Sequence, residues 1–251
     1  MPAMPAWPPR SAPRLFVTGP LAEGTAVKLE GPQAHYLGKV MRVGLGDAVV
    51  LCDNLTGEWT ALVKALGKRD MILIAQTLNR PRENVPDFTL CAALLKKDRF
   101  DLVLEKATEL GVRRIEPVIT RRCVADRLNP ERARTIVTEA AEQCARTALP
   151  ELGEPVKLDA LLRVWPEERA LFFADETGGA PAAAAFAAHS GPAALLIGPE
   201  GGFDDTERDA LRALPQTRSV SLGPRILRGE TAAIAATALW MACAGDWSQG
   251  R

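Results

Sequence analysis

Histidine, aromatic residues and net charge are all scarce in this sequence. His35 and His189 are its only histidines, and its five cysteines (Cys52, Cys91, Cys123, Cys144 and Cys243) never fall at CxxC spacing. A structural zinc site needs four such ligands brought together, and a disulfide framework needs an even set. Neither a metal nor a disulfide framework is therefore expected, and reduced thiols fit a cytoplasmic protein. Aromatics make up 5% of the chain, which leaves aliphatic packing to fill the core. The longest apolar run, Thr231–Gly245, is shorter than the roughly 20 residues of a membrane-spanning helix, so it reads as a buried helix and no membrane partner is expected. The leading MPAMPAWPPRSAPR has no apolar segment of the secretory kind and is expected to be irregular up to about Arg14.

The formal net charge is zero, but the balance shifts along the chain. Residues 1–150 hold 22 Lys+Arg against 17 Asp+Glu, and residues 151–251 hold 9 against 14. The basic surplus sits in the first 150 residues, where it marks either a polyanion face or an ordinary solvated one.

Two kinds of patterning follow each other. Residues 14–80 carry short β-branched or alternating runs (Leu15–Val17, Ala26–Leu29, Ala48–Cys52, Glu58–Lys64, Met71–Leu78) with one helix at Gln33–Val40, which predicts a small β-barrel domain. Asn79–Pro86 is polar, carries two prolines and reads as a linker. Residues 86–247 then alternate strands with helices, predicting an α/β domain with a parallel sheet covered on both faces. Glu131–Arg146 reads as one of its helices, with Asn129 as N-cap and Pro130 at the first turn.

Two glycine-bearing loops follow strands near the end of the chain. Leu196-Ile197-Gly198-Pro199-Glu200-Gly201-Gly202 packs three glycines and a proline into five residues. Glycine lets a backbone approach a ligand with no Cβ in the way, although a plain strand-to-helix turn uses glycine as well. The loop is neither GxGxxG nor a Walker A, so neither a dinucleotide fold nor a nucleoside triphosphatase follows. The second loop, Leu222-Gly223-Pro224-Arg225-Ile226-Leu227-Arg228-Gly229, opens an apolar helix through Glu230, Thr231 and Ala232. If the two strands are neighbours in a parallel sheet, both loops reach one end of it and build a single site.

IGPEGGF followed by LGPRILRGETAA resembles the signature pair of the RsmE family, SPOUT-superfamily methyltransferases of 16S ribosomal RNA. The resemblance covers nearly the whole chain. RLFV (Arg14–Val17), HYLGKVMR (His35–Arg42) and GD (Gly46–Asp47) are similar to the family's PUA-like N-terminal domain. KKDRFDLVLEKATELGV (Lys96–Val112) and PVITRR (Pro117–Arg122) are similar to the start of its catalytic domain. EQCARTALP (Glu142–Pro150) departs from the family's EQSGR…P pattern at Cys144 and Ala145.

The resemblance implies a C-terminal α/β domain with a trefoil knot and S-adenosyl-L-methionine as cofactor. It also implies a homodimer acting on 16S ribosomal RNA or the small subunit, at N3 of one uridine, position 1498 in the usual numbering. The cofactor residues it implies are Leu196, Ile197, Gly198, Pro199, Glu200, Gly201, Gly202, Leu222, Gly223, Ile226, Leu227, Glu230, Thr231 and Ala232. N3 of uridine carries a proton, and negative charge grows on the uracil oxygens as that proton leaves. Arg228 first and Arg225 second are the candidates to stabilise that charge. Arginine stays protonated and makes a poor base, so Glu200, Glu230 or water takes the proton. The RNA face is expected from Arg14, His35, Lys39 and Arg42 in the first domain, and from Lys96, Lys97, Arg99, Arg121, Arg122 and Arg146 in the second. Two other readings stay open: a non-catalytic RNA-binding protein, and a related enzyme acting on transfer RNA.

Overall fold

The computed structural model describes residues 12–247, so most of the proline-rich stretch before Arg14 lies outside the described residues. The chain forms two units. The first holds the residues up to Asn84 together with Ala141–Leu149, and the second holds Val85–Ala140 and the chain from Pro150.

The first unit contains β1 (Arg14–Phe16), β2 (Ala26–Glu30), α1 (Gly31–His35) running into a π-helical turn (Tyr36–Val40), β3 (Ala48–Cys52), β4 (Gly57–Leu66) and β5 (Asp70–Pro81). The expected barrel strands form one continuous path, β1-β3-β4-β5-β2. Three register shifts between β4 and β5 bend it. Met71, Leu73 and Ala75 alternate inward on β5 and pack with Leu37, Leu51 and Val63, so period-two patterning here means burial of one face.

The expected linker begins differently from its composition. Asn79, Arg80 and Pro81 continue β5, and Asn79 and Arg80 there reach a buried carboxylate. Glu58 is 6% exposed. It pairs with Arg14, receives Arg80 Nη2 at 2.5 Å and Asn79 Nδ2 at 3.3 Å, and so has its lone pairs satisfied inside the unit. Arg14, expected on an RNA face, is engaged here.

The helix expected over Glu131–Arg146 is α3, Pro130–Gln143, and it stops three residues early. Ala145 turns the chain at φ 62°. Beyond that turn the segment docks within the first unit. Glu83 Oε1 accepts from Thr147 N at 3.1 Å, Ala148 N at 3.0 Å and Arg146 Nε at 3.2 Å. Arg146, also expected to meet RNA, is 5% exposed and held in this cluster.

The second unit is an eight-stranded sheet. Its strands are β6 (Phe88–Ala93), β7 (Arg114–Ile119), β8 (Glu151–Leu152), β9 (Val156–Lys157), β10 (Ala170–Ala174), β11 (Ala180–Pro181), β12 (Ala193–Ile197) and β13 (Thr217–Ser221). The order is β11-β13-β10-β12-β6-β7-β8, with β9 also on β7, and every pairing is parallel. The helices are α2 (Lys97–Glu109), α3, α4 (Leu158–Arg163), α5 (Ala182–Ala187), α6 (Asp205–Ala213) and α7 (Gly229–Cys243). Leu90, Phe172 and Leu195 pack into one core, while Cys91, Phe173 and Leu196 pack into another, as alternation in a two-sided sheet demands. The apolar run near the end of the chain is α7, whose Trp240 stacks on Phe88 with centroids 4.0 Å apart. Among the described residues no helix is long and apolar enough to cross a membrane.

Ala145 occupies the left-handed region, where a Cβ costs about 1 kcal/mol and glycine costs nothing. Ala145→Gly, which restores the glycine of the resembled pattern, is expected to raise stability by about 0.5–1 kcal/mol in urea denaturation. No gain, or a loss, would show that the turn is not strained.

Candidate active site

β13, β10 and β12 lie side by side and run parallel, so the chain leaves all three at the same sheet edge. The two glycine-bearing strands, β12 and β13, are not neighbours, yet their loops still reach the same end of the sheet. β10 lies between them and contributes a third loop, Asp175-Glu176-Thr177-Gly178-Gly179. A cavity of about 390 Å³ opens among the three loops and the start of α7.

Close backbone approach is built into this cavity. Gly202 sits at φ 66°, and a Cβ there would stand 2.6 Å from Glu176 Oε1. A Cβ on Gly198 would lie 2.6 Å from the Phe203 ring, so the turn after β12 closes only with glycine.

Asp175 ties the loops to the scaffold. Its side chain is fully buried and accepts from Arg208 Nη1 at 2.8 Å, Arg212 Nη2 at 2.6 Å, Thr177 N at 3.0 Å and Thr177 Oγ1 at 2.7 Å. Burial works against its ionisation. The Thr177 backbone and hydroxyl bonds and the Arg212 guanidinium outweigh that penalty and hold its carboxyl below the usual range. Arg208 Nη2 also donates to Glu176 Oε1 at 2.9 Å and to the Phe203 carbonyl at 3.1 Å, joining the loop after β10 to the loop after β12. Both arginines come from α6, which a capping box between Asp204 and Glu207 starts firmly. Arg122 Nη1 donates to the Gly201 carbonyl at 3.0 Å, and Arg121 reaches Asp204 at 2.9 Å. The first glycine loop is thus held from two sides.

The lining suits a nucleoside carrying positive charge. Ile197, Val220, Leu222 and Leu227 give apolar walls for a flat ring, Glu176 and Glu200 give carboxylates, and the loop backbones give donors and acceptors. These residues fit S-adenosylmethionine, which joins an adenine to a sulfonium and an ammonium group.

Comparison with known proteins decides the family. Residues 81–241 match the RNA methyltransferase domain, and residues 29–76 match the RNA methyltransferase PUA domain. The ribosomal RNA small subunit methyltransferase E of Rickettsia conorii is 30% identical over 230 residues, covering 90% of this chain and 93% of the relative. This chain belongs to the ribosomal RNA small subunit methyltransferase E family. The Synechocystis member is 33% identical, with 90% of this chain and 76% of the relative covered. A crystal structure of the Neisseria gonorrhoeae member bound to S-adenosyl methionine superposes with a TM-score of 0.84 at 29% identity, over 94% of this chain and 99% of that one. A Legionella pneumophila putative methyltransferase in complex with the same cofactor gives 0.83 at 30% identity, over 94% and 99%.

Of the implied cofactor residues in this family member, Ile197, Gly198, Pro199, Glu200, Gly201, Gly202, Leu222, Gly223, Ile226, Leu227 and Ala232 line the cavity. Leu196 is fully buried in β12. Thr231 is exposed outside the lining. Glu230 is 4% exposed, is paired with Arg99 and does not line the cavity, so it anchors α7 instead of offering a free carboxylate. The same pair engages Arg99. The loop after β10 was missed, although DETGG directly after an apolar strand carries the same polar, glycine-rich signature as the two loops that were found.

The two candidate catalytic arginines separate. Arg225 lines the cavity, whereas Arg228 is exposed at the N-cap of α7 and lies outside the lining. Neither guanidinium is bonded to a carboxylate among the described residues. Lys96 and Lys97 are exposed at the start of α2. Among the described residues no group of three metal-ligating side chains gathers.

Asp175→Asn keeps the shape and removes the charge between two arginines, so a loss of about 3 kcal/mol is expected at neutral pH. Because the native carboxyl titrates below its unfolded value, that contribution is present above the ordinary carboxylate range and is lost as pH falls below that range through the lowered native value. Urea denaturation at neutral pH and at pH below about 3 checks this. A difference between wild type and variant that stays constant across those conditions would contradict it.

Proposed function

We propose that this chain transfers the methyl group of S-adenosylmethionine to N3 of a single uridine in 16S ribosomal RNA, the position implied by its resemblance to the family. The observation that carries the reading is the three-loop cavity, formed by the motifs of a family with a member crystallised with this methyl donor. The sulfonium supplies an already activated methyl group, which leaves positioning, proton removal and charge stabilisation to the protein.

Each of those tasks has a residue here. Arg225 lines the cavity and serves the donor side. Arg228 stands outside the cavity with its guanidinium uncommitted, so it remains available for the acceptor base, where negative charge grows on the uracil oxygens. The N3 proton passes to Glu200, a carboxylate on the cavity wall, or to water, and the freed lone pair takes the methyl group. Ile226 lines the cavity yet is 90% exposed, an apolar surface that ligand and a second copy of the chain would cover. We read this as support for the homodimer. The trefoil knot and a cytoplasmic location belong to the same reading.

Two substitutions test the division of labour. Arg228→Ala is expected to lower kcat by about 100-fold with little change in cofactor affinity, and Arg225→Ala to weaken cofactor binding by about tenfold. Methyl transfer to small subunits, read as 3-methyluridine by mass spectrometry, and calorimetric titration with S-adenosylmethionine measure the two effects. Wild-type turnover in Arg228→Ala would contradict the role given to that residue.

A further inference from the structure

A second cavity, of about 480 Å³, lies wholly within the first unit. Its chemistry differs from that of the cofactor cavity. Buried Ala34, Val43 and Met71 give it an apolar floor. Exposed His35 and Lys39 stand on one wall, and exposed Lys68 and Arg69 on the other, at the tip of the β4–β5 hairpin. The one acid of the lining, Asp70, faces Lys28 at 3.5 Å. Among the described residues no carboxylate engages His35, Lys39, Lys68 or Arg69, whereas Arg14, Arg80 and Arg146 of the same unit are committed to Glu58 or Glu83.

The local backbone also favours a ligand here. The wall carrying Lys39 is the π-helical turn Tyr36–Val40, and such turns are costly departures from helix geometry that recur at binding sites. Its Gly38 lines the cavity, and a Cβ there would meet only the end of Met71, at 3.8 Å. Uncommitted cations around an apolar floor, with an exposed imidazole beside it, match how single-stranded nucleic acid is held. Phosphates lie on the cations and an unstacked base lies on an apolar or π surface. An acidic peptide would use the cations but leave the floor unfilled.

We propose that this cleft seats one unpaired nucleotide of the RNA substrate, with Lys39, Lys68 and Arg69 on the flanking phosphates and His35 against the base. The proposal rests on the RNA methyltransferase reading and adds a place of contact, including two residues that the basic motifs of the sequence did not single out. Lys68 and Arg69 hold register, and the cleft selects unpaired over duplex RNA because a paired base cannot enter it.

The test is fluorescence anisotropy on the full chain with a labelled single-stranded oligouridylate of about ten nucleotides. A duplex of equal length and a polyglutamate peptide serve as competitors. The K68A/R69A double variant is expected to bind about tenfold more weakly at low salt. The slope of log affinity against log salt should fall in magnitude by about 1.4, the value for two lost single-strand phosphate contacts. His35→Ala is expected to weaken binding severalfold without changing that slope. Far-UV circular dichroism and urea denaturation should be unchanged in both variants, which shows that the first unit still folds. Wild-type affinity and slope in K68A/R69A would overturn the cleft, as would competition by duplex or polyglutamate equal to that of the single strand. Methyl transfer by wild-type protein to small subunits checks the underlying reading separately, since its failure leaves the oligonucleotide result standing on its own.

Discussion

The charge cluster under the cofactor loops is the constraint on which the rest of the site depends. Three polypeptide loops leave one edge of a parallel sheet, and each must turn sharply in a small space without stranding its polar backbone. Asp175, buried and ionised, is the fixed point. Arg208 and Arg212 reach it from α6, and Arg208 continues to Glu176 and to the Phe203 carbonyl. A single helix therefore sets the distance between two of the three loops. A buried carboxylate with only one arginine would be a liability. With two arginines and the Thr177 bonds its desolvation is offset, and the loops gain a defined geometry.

Both units commit arginines to internal ion pairs, so net charge alone does not measure the basic surface. Arg14, Arg80 and Arg146 are internal struts, as are Arg208 and Arg212. Counting them as RNA contacts overstates the basic face. Among the described residues, cations without a carboxylate partner include Lys39, Lys68 and Arg69 around one cleft and Arg225 and Arg228 at the other, with Lys96 and Lys97 exposed at the start of α2.

Much of this was legible in the sequence, for physical reasons that can be named. The central strand β12 is an uninterrupted apolar run, and β6 is broken only by Thr89, because both faces of a parallel sheet are covered. The glycines of the two loops stood out by their density, and at Gly198 and Gly202 a Cβ would come within 2.6 Å of a neighbouring side chain. Three things were hidden. The interposition of β10 between β12 and β13 is a matter of strand order, which no local pattern encodes. The pairing of Arg99 with Glu230 joins residues far apart in the chain, so Glu230 read as a free carboxylate. The turn at Ala145 is concealed by the residue itself, since alanine is a strong helix former and masks the left-handed stop that a glycine would have announced.

The central claim is that the three loops form the methyl-donor site, and Gly202 is where it is most exposed to test. An added methyl group there meets both an unfavourable φ and the Glu176 carboxylate 2.6 Å away, and so disturbs the cavity where Glu176 and Arg208 join two of its loops. Calorimetric titration of wild type and Gly202→Ala with S-adenosylmethionine is the most direct measurement. Saturable binding by wild type and a loss of about tenfold or more in the variant are expected. Equal affinity in the two proteins, or no binding to wild type, would contradict the account.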